Sequence, residues 1–394
     1  MSINLHGKIP SPIYISGRIG KVLPTFTVTF KDGDTVLQQV QVRQGGTAVY
    51  DGTVSPKDGN AFLGWVLSEP SNPIVDSDNV TAYQQIPNVQ ADTICWAVYS
   101  DKSIIHDSWE VISQRSQAGT ASEYYSVGDI KKIRIQGYVG TTNLDKYVWV
   151  TVLGIDHNRG FENAGITFGC FKDTSKKDIC FIDGKYSNGN YESRLDDGTK
   201  TFNMNHWGNA NYGGWAGSDM RYDILGSTDV APSGYGSIVD SSRVGYDATS
   251  TCATNPVANT LMSCLPSDLR AVMKPIIKYT DNTGGGAWQT PVTATTDYLP
   301  LISEFETFGS ASYSNGSKQA QYSYFSAGSN DKTKRKHNNS SSLAHWWLRS
   351  PDWNSGSDFC YVLSSGSPTS DTTYARLERG DADMSYGISP VFLV

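Results

Sequence analysis

Strict alternation of apolar and polar positions begins near Thr25 and runs Phe26-Thr27-Val28-Thr29-Phe30; after Lys31-Asp32-Gly33-Asp34 it resumes as Val36-Leu37-Gln38-Gln39-Val40-Gln41-Val42. A period of two on both sides of a polar, glycine-bearing turn predicts a β-hairpin. Two further apolar runs, Phe62-Leu63-Gly64-Trp65 and Ile94-Cys95-Trp96-Ala97-Val98-Tyr99, extend it into a small all-β module over residues 23–103. Trp65 and Trp96 are expected as core aromatics of that module. The preceding residues 1–22 carry Ile9-Pro10-Ser11-Pro12-Ile13 and several glycines, which reads as an extended arm without a core of its own.

The pattern changes character in residues 104–394. Alternating strands are expected at Ile130 to Tyr138 and Tyr147 to Ile155. Three helices are expected between them and the chain end. One runs from Gly214-Trp215 to Leu225 and is stopped by Gly226; a second spans Pro266 to Ile277, opened by Pro266, Ser267 and Asp268. The third covers Tyr298 to Phe308, with Asp297 as cap and Gly309 as stop. Strands first, helices in the middle and strands last predict an α+β fold.

The chain ends on two strand-like segments, His345-Trp346-Trp347-Leu348-Arg349-Ser350-Pro351 and Gly387-Ile388-Ser389-Pro390-Val391-Phe392-Leu393-Val394. Between them, Asp352 to Tyr386 is rich in Ser, Thr, Asp, Gly and Tyr. Such residues give adaptable hydrogen bonding and amphipathic area at low entropic cost, as paratopes do, so the tract is expected to be displayed for binding.

Composition narrows the class. A net charge of −7 over 394 residues argues against a nucleic-acid footprint, and the one cationic cluster, Lys332 to His337, lies in a Ser/Asn-rich stretch that reads as a solvated loop. With 22 Tyr, 10 Trp and 38 Gly against only 18% charged residues, the chain resembles extracellular or virion β-rich proteins. Its first residues have no apolar h-region, and no run approaches the roughly 18 apolar residues that span a bilayer, so neither export by signal peptide nor membrane insertion is expected.

Candidate chemistry is sparse. The six cysteines, Cys95, Cys170, Cys180, Cys252, Cys264 and Cys360, include no CxxC pair; buried free thiols are the default, although Cys170/Cys180 and Cys252/Cys264 are each spaced to close a short loop. The histidines show no HxH or HExxH spacing, and Leu195-Asp196-Asp197-Gly198 lacks a full EF-hand ligand pattern, so no metal or other cofactor is expected. Asp156-His157 with Cys170 or Cys180 is the one nucleophile-and-base arrangement that can be written, and an Asp-His pair in a strand-to-loop turn is more often structural. No enzyme activity is expected.

Two resemblances add to this. Val28-Thr29-Phe30, Gly45-Gly46 and Gly64-Trp65 resemble the signature of the internalin-type B repeat, a small β-grasp-like module, and imply a spacer or adhesin role for residues 23–103. Asp156-His157-Asn158, Gly213-Gly214-Trp215 with Met220-Arg221, Leu265-Pro266-Ser267-Asp268-Leu269, Asp297-Tyr298-Leu299 with Phe305-Glu306, and Trp346 to Pro351 closing on Gly387 to Phe392 resemble a domain family of unknown function from gut bacteria and their phages. That family is similar to C-type-lectin-fold proteins, and the resemblance covers residues 108–394. It also touches formylglycine-generating enzymes, but the cysteine pair that they use has no counterpart here. Some of its relatives resemble the variable proteins of diversity-generating retroelements, which implies variable positions at Asp352, Ser355, Ser357, Asp358, Tyr361, Ser364, Ser365, Ser367, Thr369, Ser370, Asp371, Thr372, Thr373, Tyr374, Arg376, Asp381, Asp383 and Tyr386. Diversified codons of the form NNY exclude Trp, Met, Lys, Gln and Glu; Trp353, Glu378 and Met384 depart from that rule.

The expectation that follows is a phage virion protein: an N-terminal arm (1–22) that attaches to other virion proteins, a β-grasp-like module (23–103), and a C-type-lectin-like domain (104–394) that displays residues 352–386 to a host-surface protein or glycan. Expected ligand-binding residues are Asp352, Trp353, Ser355, Ser357, Asp358, Tyr361, Ser365, Ser367, Thr369, Asp371, Thr373, Tyr374, Arg376, Asp381, Asp383 and Tyr386, with Trp353, Tyr361, Tyr374 and Tyr386 as anchors. Repetition on a particle favours a homo-oligomer such as a trimer. The alternative is a structural head-decoration or head-fibre protein.

Overall fold

The computed structural model describes residues 14–15, 18–19, 23–57, 60, 62–75, 80–101, 104–105, 107–187, 201–205, 210–228, 250–286, 291–326, 333–338, 342–363 and 376–394. By internal contacts the chain divides into two compact units, Met1–Lys102 and Ser103–Val394.

The first unit holds one larger sheet and, within residues 1–22, a separate antiparallel pair of two-residue strands, Tyr14–Ile15 with Arg18–Ile19. Strands β1 (Thr25–Asp32) and β2 (Thr35–Arg43) form the hairpin set by the alternating pattern, with Gly33 taking the positive φ that its tight turn requires. β3 (Phe62–Val66) and β4 (Thr93–Ser100) complete the order β2-β1-β4-β3; β4 pairs β1 in parallel and β3 antiparallel, and the short strand Ile74–Val75 adds to β4. Trp65 centres the core, with the rings of Phe30, Tyr50 and Phe62 at 4.7, 5.1 and 5.2 Å. Gly64 explains the Gly-Trp pair: its φ is +149°, and a Cβ there would meet Ala82 Cβ and Tyr83 O at 2.9 Å, where the chain hydrogen-bonds back onto Trp65. Trp96 is not a core residue as expected. Along β4 the inward positions are Cys95 and Ala97, so the period of two turns Trp96 to the half-exposed face.

The second unit opens with helix α1 (Trp109–Gln117), capped by Ser108, whose side chain accepts from Val111 N. Three antiparallel strands follow, β5 (Ile130–Ile135), β6 (Lys146–Ile155) and β7 (Ile166–Lys172). A π-helical turn (Met220–Ile224), helix α2 (Ser267–Val272), the hairpin β8 (Ile276–Asp281) and β9 (Val292–Asp297), and helix α3 (Glu304–Phe308) come next. A three-stranded antiparallel sheet is formed by β10 (Trp346–Pro351), β11 (Asp358–Leu363) and β12 (Arg376–Asp381). Finally β13 (Phe392–Leu393) returns to pair β7, which closes the order β13-β7-β6-β5.

All three expected helices are shorter than their patterns. The first is reduced to the π-helical turn ended by Gly226, φ +62°. The second stops at Val272 because Pro275 disfavours helical geometry at the residue before it, and the chain leaves directly into β8. The third starts at Glu304, not Tyr298, because Pro300 disfavours helical geometry at Leu299; Ser303 is the cap, in a reciprocal box with Glu306. Gly309 ends it at φ +72°. Asp297 belongs instead to the end of β9, where its buried carboxylate accepts from Trp215 Nε1 (3.1 Å), Arg221 Nε (2.5 Å), Ser227 Oγ (3.2 Å) and Thr295 Oγ1 (2.7 Å).

A buried ionic network ties β8, α3 and β10 together. Lys278 Nζ donates to Glu162 (3.0 Å), Glu306 (2.8 Å) and Tyr322 OH (2.7 Å). Arg349 grips Glu306 through both terminal nitrogens and also donates to Thr280 Oγ1 (2.8 Å) and Leu301 O (2.9 Å). Burial alone would raise the Glu306 carboxyl, but the two cations overcome it and hold the group well below the usual range. Glu162, with one cation and a neighbouring carboxylate, is pushed by burial up to about 7.

Candidate binding surface

The polar tract is built on a frame that starts with two buried side chains. Glu304, at the first position of α3, turns its carboxylate toward the chain beyond the helix and accepts from the backbone of Ser312 and Tyr313 (3.2 Å) and from Ser314 Oγ (2.7 Å). Burial raises this carboxyl, and the donors oppose the rise. The segment thus fixed receives Trp353, whose N donates to Tyr313 O at 2.8 Å and whose Nε1 donates to Ser312 O at 3.2 Å.

Asn211 is the second anchor. Its Nδ2 reaches Ser355 O and Asp358 O at 2.8 Å and Asp352 O at 3.3 Å, its Oδ1 accepts from Gly285 N at 2.8 Å, and its N donates to Gly356 O at 2.9 Å. One side chain therefore holds the turn 352–358 against the glycine run Gly284-Gly285-Gly286. Gly284 has φ +62°, and a Cβ there would overlap Asn211 O; a Cβ on Gly285 would enter the Tyr212 ring. Tyr212, 43% exposed, lies over this run beside the turn.

The result is a rim of partly exposed polar and aromatic groups: Tyr212, Trp353, Ser355, Ser357 and Asp358, with Asp381 and Asp383 across β11 and β12. Ser357 Oγ donates to Asp358 Oδ1 at 2.8 Å and bonds Ser355 Oγ at 3.0 Å. Burial, with Asp358 and Asp383 nearby, raises the Asp381 carboxyl. Among the described residues, no group of three or more His, Cys, Asp or Glu is placed to hold a metal ion.

The structure moves several expected ligand-binding residues off the surface. Asp352 is fully buried, and its carboxylate caps Asn354 N at 2.9 Å. Tyr361 and Tyr386 are not displayed anchors: they are 9% and 6% exposed, 4.5 Å apart, and pack on Trp347 and His345. The cause is again the strand period, which turns Tyr361 of β11 toward Trp347 of β10. Burial lowers His345 to about 4 in the same cluster. Arg376 opens β12 opposite Leu363. Ser365, Ser367, Thr369, Asp371, Thr373 and Tyr374 lie outside the described residues, as do Ser364, Ser370 and Thr372. Asn211, Tyr212 and the 284–286 glycines were missed; three consecutive glycines and the Asn211-Tyr212-Gly213-Gly214 run were the available signal.

The nucleophile-and-base arrangement does not assemble. Asp156 Oδ1 accepts from Gly165 N at 3.0 Å, while His157 stacks on Tyr322 at 3.8 Å and its Nε2 faces Ala320 O. Burial, with Lys278 nearby, lowers His157 to about 4. All six cysteines are buried and free, and burial pushes the Cys180 thiol up to about 12.

A family model described as a domain of unknown function, DUF6273, matches residues 189–394. The chain belongs to the DUF6273 family. No curated protein and no solved structure matches it. The DUF6273 segment contains the whole rim and both of its anchors, but not β7, the partner of β13, nor Glu162, which bonds Lys278. The match is shorter than residues 108–394, over which the sequence motifs were read.

Proposed function

We propose that this chain is a phage virion protein that binds a host-surface receptor, and that its second unit is a C-type-lectin-like head. The observation that carries the reading is the contrast between frame and rim. Backbone at 352–358 is held by Asn211 and by the 312–314 segment that Glu304 fixes, while Tyr212, Trp353, Ser355, Ser357 and Asp358 keep side-chain surface for a partner. Rigid backbone under adaptable hydroxyls and amphipathic rings lowers the entropic cost of recognition, and it tolerates exchange of the displayed residues without loss of the fold. The retroelement resemblance fits that tolerance at Ser355, Ser357, Asp358, Asp381 and Asp383, and adenine-rich codons there would support it; Asp352, Tyr361 and Tyr386 serve the frame instead. In this reading residues 1–22 join other virion proteins, residues 23–103 act as spacer, and copies repeated on the particle multiply a weak contact with a surface protein or glycan.

The test is binding of the full chain, multimerised on beads, to intact candidate host cells. Tyr212→Ala with Trp353→Ala is expected to lower bound beads tenfold or more without a change in melting temperature beyond a few degrees. No binding by the unaltered chain would replace this reading with that of a decoration protein.

A further inference from the structure

A second surface lies at the β5 edge of the β13-β7-β6-β5 sheet. Along β5 the side chains alternate, with Lys131, Ile133 and Ile135 buried and Lys132 and Arg134 exposed; along β6 Val148 and Val150 are buried, Tyr147 is 50% exposed and Trp149 is partly exposed. The register sets Arg134 opposite Tyr147 and Lys132 opposite Trp149. Both cations reach the same ring: Lys132 Nζ lies 4.9 Å and the Arg134 guanidinium 5.6 Å from the Tyr147 centroid, and Lys176, from the turn after β7, lies 5.7 Å from the Trp149 ring. Asp145 pairs with Arg134 and Asp173 accepts from the backbone of Ser175 and Lys177, so three cations of this face stand against two carboxylates. A chain of net charge −7 thus carries a local excess of cations interleaved with exposed rings.

We propose that this face binds an anionic polysaccharide. Sugar rings present C–H faces that pack on Tyr147 and Trp149, and carboxylate, sulfate or phosphate substituents pair with Lys132, Arg134 and Lys176. Same-face residues two apart on a strand are about 7 Å apart, so the two rings form a short row with positive charge beside each, from Lys132 and Arg134 at Tyr147 and from Lys176 at Trp149. The face is separate from the rim around Asn211, and the proposal stands whether or not that rim binds a receptor.

The experiment measures retention of the full chain on immobilised heparin and polygalacturonate, with neutral dextran and duplex DNA alongside. Retention on one or both acidic glycans that weakens as salt rises, but not on dextran, is expected, because screening weakens pairs between exposed charges. Lys132→Gln with Arg134→Gln is expected to lower affinity at least tenfold, and Tyr147→Ala, which keeps both cations, to lower it at least threefold. All three residues are exposed, so folding is preserved and is checked by the melting curve. No retention of the unaltered chain, or retention unchanged by both variants, would overturn the proposal and leave Lys132 and Arg134 as charges that keep the edge strand β5 from pairing with other sheets. Equal or tighter binding of duplex DNA, lost in the same variants, would overturn it in favour of a nucleic-acid surface.

Discussion

Asn211 shows how one buried amide can define a surface it does not occupy. It is 1% exposed and serves the carbonyls of Ser355 and Asp358 while receiving Gly285 N. Replacing it with Ala removes the donor and leaves carbonyl oxygens unpaired, at about 1–3 kcal/mol for each group that water cannot reach. Asn211→Ala is therefore expected to lose about 2–4 kcal/mol in denaturant unfolding; a loss below about 1 kcal/mol would show that the turn 352–358 holds itself. The same reasoning separates rim from frame among the aromatics. Tyr386→Ala deletes a ring packed on Trp347 and Tyr361 and is expected to cost about 3–5 kcal/mol, whereas partly exposed Trp353 is expected to cost about 1–2 kcal/mol. Similar losses for the two would contradict the assignment of Tyr386 to the frame.

At the scale of elements, α3 and β10 are joined by Glu306 and Arg349, both fully buried. Removing one partner of such a pair strands the other charge, so Glu306→Gln is expected to cost about 3–5 kcal/mol, and Arg349→Met a similar amount. Their double substitution is expected to cost less than the sum, with the shortfall measured in a double-mutant cycle. None of this was visible in the chain, because the pair is separated by 43 residues and neither residue stands in a charged cluster. What was legible is local. The β1–β2 hairpin follows from period and turn, and Gly226 and Gly309 mark helix ends because positive φ favours glycine. One helix end and one helix start differ from the pattern because Pro275 and Pro300 act as breaks within it. The rim was half legible: Trp353 to Asp358 stood out by composition, whereas Tyr361 and Tyr386 look like paratope tyrosines until strand pairing turns Tyr361 inward and Tyr386 packs against it and Trp347. Asn211 was illegible because a hub is defined by contacts distant in sequence.

At the scale of the whole molecule, burial of ionisable groups makes stability depend on pH in two opposed ways. His157 is held at about 4 in the fold against 6.5 for a free ring, so between those values the unfolded chain binds a proton that the folded chain does not. Stability from this site is present above 6.5 and is lost as pH falls toward 4. Glu162 has the reverse sign. Its carboxyl sits at about 7 in the fold against 4.5 when free, so the folded chain keeps a proton that the unfolded chain has released, and the site costs progressively more as pH rises from 4.5 through 7. Other buried or partly buried groups add to both sides, with His345 and His337 acting like His157, and Asp107, Glu304 and Asp381 acting like Glu162. The net profile is therefore a compromise, and the sites are separated by difference. Relative to the unaltered chain, His157→Gln is expected to gain stability as pH falls from 6.5 to 4, and Glu162→Gln to gain it as pH rises from 4.5 to 7. Urea midpoints followed by tryptophan fluorescence at half-unit intervals from pH 4 to 8 measure both. Difference curves that slope the same way, or that stay flat, would mean that the Lys278 network admits water and that neither group is desolvated as its surroundings imply.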